Sequence, residues 1–171
     1  MNNEAQPGMK EKSYFLILAL TLCVSGYVHS QVGELKFPEG AVQHAVRANE
    51  IQWQPCPPHL PPGCEMAVLE GDPRSPDFFT VRFRLDKGFV VPPHTHPKDE
   101  RVTVLEGKVS VAFGVDGSRD SAKQFGPGDY YVNARGAVHT VWADESSVVQ
   151  VTGIGPWEVN FVDRASSGGA R

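Results

Sequence analysis

Between Gly88 and His139 the chain carries three histidines and one glutamate at a spacing that can build a metal site inside a β-barrel. The first block reads Gly88, five residues, His94-Thr95-His96, three residues, Glu100, six residues, Gly107. The second reads Gly128-Asp129-Tyr130-Tyr131-Val132, then Gly136, then His139. Side chains two apart on a strand point to the same side, so an extended segment lets His94 and His96 converge on one ion. Glu100 then follows at the start of the next strand. Neutral imidazoles with one carboxylate leave positions open on a metal that prefers five or six ligands, and open positions are what substrate or oxygen chemistry requires. His44 and His59 have no such company and read as loop residues.

The elements that must hold these side chains read as short strands. Strand signals begin at residues 66–69, followed by a turn at Gly71-Asp72-Pro73. Residues 79–85 alternate strictly, with Phe79, Val81, Phe83 and Leu85 predicted inward and Arg82 and Arg84 toward water. Pro92-Pro93 stiffens the entry to the ligand strand, and a strand at 102–105 passes through a tight hairpin at Glu106-Gly107 into 108–113. A loop at Asp116-Gly117-Ser118 and a turn at Phe125-Gly126-Pro127-Gly128 precede strands at 129–132, 138–142, 148–152 and 157–162. No sustained helical period interrupts them. The fold expected is all-β, an antiparallel jelly roll closed enough to hold a cavity.

At these residues the chain resembles the cupin superfamily. Its first motif is matched at every fixed position from Gly88 through His94, His96 and Glu100 to Gly107. In the second, Gly128, Gly136 and His139 fit, whereas Ala134 stands where cupins usually have proline and Ala143 where many have asparagine. Neither departure touches a ligand position. The resemblance covers residues 66–162 and is nearest to small, single-domain bacterial cupins of unassigned activity. It implies a jelly-roll barrel with one divalent transition metal, of the Mn, Fe, Ni or Zn kind, held by His94, His96, Glu100 and His139. The motif occurs once, so a single barrel is expected rather than a two-barrel architecture.

The rest of the chain reads as one domain with flanking segments. Residues 1–30 are expected to be a cleaved export signal: Lys10 and Lys12 precede an apolar run at 14–24 that is short for a permanent anchor, and the mature start falls at Gln31. Leu22 is too large for the residue before a lipoprotein Cys23. Residues 31–65 read as an arm that wraps the barrel or pairs with a neighbouring subunit, 66–162 as the barrel and 163–171 as a polar tail. Cys56 and Cys64 bracket a proline-rich loop and can close a disulfide in an oxidising compartment. A zinc site joining them to His59 is the alternative. A formal net charge of -4 and the lack of a Lys/Arg cluster argue against nucleic-acid binding.

These readings converge on a periplasmic or secreted homodimer with a small-molecule partner and no stable membrane anchor after signal cleavage. Cupins with three histidines and a glutamate include dioxygenases, isomerases, lyases and decarboxylases. The resemblance therefore implies a mononuclear metalloenzyme acting on a small organic molecule, or else a module that captures a ligand without turning it over. Tyr130 or Tyr131, Gln150 and an inward residue of the Phe79 strand are candidates for the cavity wall. No acid or base residue stands out.

Overall fold

The computed structural model describes residues 37–162. The expected export signal and the polar tail lie outside the described residues. Two antiparallel sheets face each other. One has the order β1 (Gln54–Pro55), β2 (Cys64–Glu70), β3 (Phe78–Leu85), β10 (Ser147–Ile154), β5 (Glu100–Glu106), β8 (Tyr130–Asn133). The other has the order β11 (Asn160–Phe161), β4 (Val90–Thr95), β9 (His139–Ala143), β6 (Val109–Phe113), β7 (Lys123–Phe125). This is the expected all-β jelly roll. Its helical content among the described residues is two 3-10 turns, Ala48–Glu50 and Arg119–Ser121.

Alternation along the strands builds the core. Phe79, Val81, Phe83 and Leu85 of β3 are buried, while Arg82 is partly exposed and Arg84 exposed. They meet Val102 and Val104 of β5, Val149 and Val151 of β10, and Val109 and Ala143 of the facing sheet. Each such side chain stabilises the fold by about 1.5–3 kcal/mol through removal from water. Gly107 makes the β5–β6 turn at φ +73, and a Cβ there would run into the Ser146 carbonyl. Ser147 Oγ accepts from Lys108 N at 3.0 Å and so fastens this turn to the start of β10.

Several sequence-based boundaries shift. Strand β2 starts at Cys64 rather than residue 66, because β1 pairs with it (Pro55 opposite Glu65). The β7 strand, read as part of a turn, exists because it pairs with β6. The expected strand at 157–162 shrinks to β11. Pro156 lacks an N–H for a ladder, and Trp157 N donates to Pro73 O at 2.7 Å instead, which draws residues 157–159 across the barrel as a strap. The arm touches the sheet through a His44 Nε2 contact of 2.7 Å to Leu69 O, yet it leaves Val42 and Val46 exposed.

Cys56 and Cys64 form a disulfide, their Cα atoms 5.5 Å apart, so the zinc alternative with His59 is not what the chain builds. Cys56 N also donates to Cys64 O at 3.0 Å, so the loop is closed by backbone as well as sulfur. Replacing both cysteines (C56S with C64S) is expected to lower the unfolding free energy by about 2 kcal/mol, measured by urea denaturation.

Candidate metal centre

The three candidate ligand histidines come from three places in the two-sheet frame. His94 lies on β4 and pairs with His139, the first residue of β9, while His96 follows the end of β4. All are buried, at 3%, 3% and 0% exposure. The register of β4 on β9 shifts between Val91 and His94, where Pro92 and Pro93 interrupt the ladder. This irregularity lies inside the ligand strand rather than at its entry. It leaves the Pro92 carbonyl 2.7 Å from His94 Nδ1.

Each histidine has a backbone partner of this kind. His96 Nδ1 is 2.7 Å from Glu158 O, and His139 Nδ1 is 3.0 Å from Ala137 O. A carbonyl only accepts, so in all three rings Nδ1 carries the hydrogen and, in the neutral form, Nε2 presents a lone pair. One nitrogen from each of the three lies within 4.8 Å of the others. Orienting a ligand ring by a hydrogen bond to its other nitrogen is the arrangement metal-binding histidines use.

Glu100, the first residue of β5, is 6% exposed and stands beside two of the rings. Its Oε2 is 3.3 Å from His96 Nε2 and 3.7 Å from His139 Nε2. Two residues not singled out as site residues from the sequence hold it. Asn133 Nδ2 donates to Glu100 Oε2 at 3.0 Å and lies 3.0 Å from His139 Nε2. Trp157 Nε1 donates to Glu100 Oε1 at 3.1 Å, while its ring stacks on His96 at 5.3 Å. Asn133 had one legible signal: it stands two residues beyond Tyr131, on the same face of β8. Trp157 had none, since its place depends on the strap.

The electrostatics call for a cation. Burial, reinforced by the neighbouring His139, lowers the His94 pKa to about 3, so this imidazole stays neutral. Burial pushes the Glu100 carboxyl up, but contacts with His139 and His96 outweigh it and hold the group well below the ordinary carboxylate range. Burial likewise opposes charge on His96, yet the adjacent carboxylate raises its pKa above the ordinary value. The carboxylate thus demands positive charge beside it, from a proton or from a metal. His96 Nε2 is buried and not aligned for a hydrogen bond. The donor set fits a divalent transition metal.

The donors end a cavity of about 60 Å³ between the sheets. His94, His96, Glu100 and Tyr131 line it together with apolar side chains such as Phe83, Val141, Val151 and Leu60. Phe83 confirms the expectation of an inward residue from the Phe79 strand. Tyr131 faces the cavity, whereas Tyr130 is 57% exposed. Gln150 does not line it: the inward positions of β10 are Val149 and Val151, and the Gln150 Oε1 accepts from Arg82 Nε at 3.1 Å on the outer face.

The chain matches the ChrR Cupin-like domain family over residues 41–158. It belongs to that family. This cupin is also 37% identical over 76 residues to germin-like protein subfamily 1 member 1 of Arabidopsis thaliana, covering 42% of the chain and 35% of the relative. The cupin therefore spans about a third of the length of the curated relative it matches. Among solved structures it is similar to an acetylacetone dioxygenase from Acinetobacter johnsonii, with a TM-score of 0.57, 20% identity, and 78% of this chain and 84% of that one covered. It is likewise similar to the polyketide cyclase RemF from Streptomyces resistomycificus, with a TM-score of 0.55, 19% identity, and coverage of 71% and 88%. At these identities the likeness shows the fold.

Two outcomes follow from the site. An unfolded histidine takes up a proton near pH 6.5, whereas His94 in the fold does so only near 3. In metal-free protein the unfolded state binds more protons across that window, so stability falls as pH drops through it. The expected loss is about 2 kcal/mol between about pH 7 and about pH 5. His96 keeps its proton in both states below about 6.5 and adds no opposing slope there. Urea titrations should show this fall, and His94→Gln should flatten it. Removing the clamp on Glu100 with Asn133→Ala should weaken metal binding about tenfold or more in a competition titration against a chelator.

Proposed function

We propose that this cupin holds one divalent transition metal on His94, His96, Glu100 and His139 and uses it to act on a small organic molecule. One observation carries the reading: three buried imidazoles each fasten Nδ1 to a carbonyl, with one nitrogen from each gathered within 4.8 Å. A bound metal would supply Lewis acidity toward a carbonyl or enol oxygen. The chain's own residues do the rest. The histidines orient their lone pairs, Asn133 and Trp157 hold the carboxylate, and the apolar wall excludes water from the reacting end. No Lys or Arg lines the cavity, so a divalent metal beside the Glu100 carboxylate leaves positive charge for one anionic group only, which disfavours polyanionic substrates. A polyol is disfavoured too, since each buried hydroxyl left unpaired costs about 1–3 kcal/mol. An uncharged carbonyl, enol or phenol fits, and dioxygenase, isomerase and lyase chemistry all remain within this class.

A non-catalytic binding module is the second reading. The scarcity of polar groups in the cavity favours it, since no free carboxylate or imidazole is left over for proton transfer. Turnover of a candidate substrate by metal-loaded protein separates the two readings. Export to the periplasm or medium and a homodimer belong to the same proposal. The Cys56–Cys64 disulfide supports the first, and the exposed Val42 and Val46 of the arm support the second. A mature protein starting at Gln31 and a dimer mass by light scattering are the expected results.

The metal assignment has a direct test. Elemental analysis should find about one metal per chain, and His96→Ala should abolish stoichiometric binding. Chelation should lower the melting temperature, because only the folded chain assembles the donors. Unchanged metal content in His96→Ala would sink the assignment.

A further inference from the structure

Strand β8 turns two polar side chains inward, and the site so far uses one of them. Tyr131 and Asn133 are two residues apart, and both face inward, opposite Val102 and Glu100 of β5. Asn133 is occupied by Glu100 and His139. Tyr131 lines the cavity, and its hydroxyl has no hydrogen-bond partner among the described residues. Its ring is held firmly, stacked on Phe125 of the opposite sheet with centroids 4.3 Å apart. Beyond the ligand residues, the other polar atom on the cavity wall is the Trp157 indole N–H, and that is committed to Glu100. The Tyr131 hydroxyl is therefore the one uncommitted hydrogen-bonding side chain on the described wall.

We propose that Tyr131 is the specificity residue of this site, donating its O–H to a second oxygen of an uncharged substrate whose first oxygen docks at the His94, His96, His139 and Glu100 cluster. The inference rests on the metal-site reading above and narrows its substrate class to small molecules with two oxygens, such as a β-diketone or its enol. A phenol keeps its proton at neutral pH, so the hydroxyl is there to donate. A substrate with a single oxygen that docks at the donor cluster leaves this hydroxyl without a partner. The role is selection by a hydrogen bond, and no bond is made or broken in the step.

The test uses the whole protein loaded with nickel(II), with metal content measured in the same samples. Calorimetric titration compares 2,4-pentanedione with pentan-2-one, which lacks the second oxygen. Tyr131→Phe removes one oxygen atom and keeps the ring that stacks on Phe125. The expected result is unchanged metal per chain, about tenfold weaker binding of 2,4-pentanedione by the variant, and equal binding of pentan-2-one by both proteins. Wild-type protein alone should also prefer the diketone, which keeps the idea testable if the variant folds poorly. Equal diketone affinity in the metal-loaded variant overturns the Tyr131 assignment, as does a metal-loaded wild type that ignores the diketone. Wild-type protein that takes up no nickel overturns the metal reading itself.

Discussion

A buried imidazole has two ring nitrogens to satisfy, and the site depends on how the backbone answers for one of them. Three carbonyls, from Pro92, Ala137 and Glu158, each face an Nδ1 at 2.7–3.0 Å. Each of these carbonyls is free because local structure keeps it out of a ladder. Prolines break the β4 pairing before His94, a turn precedes His139, and the strap at 157–159 runs without strand pairing. The irregular stretches of the barrel are the ones that orient the ligands. A more regular sheet would lose the tautomer that keeps a lone pair on Nε2.

The buried carboxylate sets the second constraint. Taking Glu100 out of water costs several kcal/mol unless its oxygens are hydrogen-bonded and its charge is balanced. Asn133 and Trp157 supply the hydrogen bonds, one to each oxygen. Balancing charge comes from His96 or from a cation in its place. A metal fits this pocket because it can supply the positive charge that a proton on His96 otherwise provides. The same logic explains the apolar wall beyond the donors, where a low dielectric strengthens every interaction at the polar end.

Aromatic contacts connect this polar end to barrel closure. Phe125 and Tyr131 stack across the margin where edge strands β7 and β8 of the two sheets meet. On another side Trp157 packs against Phe83 with centroids 5.4 Å apart and against His96. Tyr131, Trp157 and Phe83 thus close the barrel and line the site at once. Packing and chemistry share the same side chains.

The sequence alone singled out His94, His96, Glu100 and His139 as candidate donors, and it made the all-β class and the inward row Phe79, Val81, Phe83, Leu85 legible. These rest on local facts: fixed spacing, a period of two along a strand, and turns marked by Gly and Pro. The disulfide was legible for the same reason, since the cysteines sit close along the chain. Tyr131, Tyr130 and Gln150 could not be told apart, because the face each strand turns inward depends on its register with a neighbour. Asn133 and Trp157 were missed as site residues because their roles come from contacts with Glu100 that cross 33 and 57 positions of sequence. The strap was read as strand for a related reason. Local composition allows an extended chain there, and only the bond from Trp157 N to the distant Pro73 carbonyl draws it across the barrel. Tertiary structure decided how the donors are oriented and what they face, since hydrogen bonds between segments far apart in the chain have no local signature.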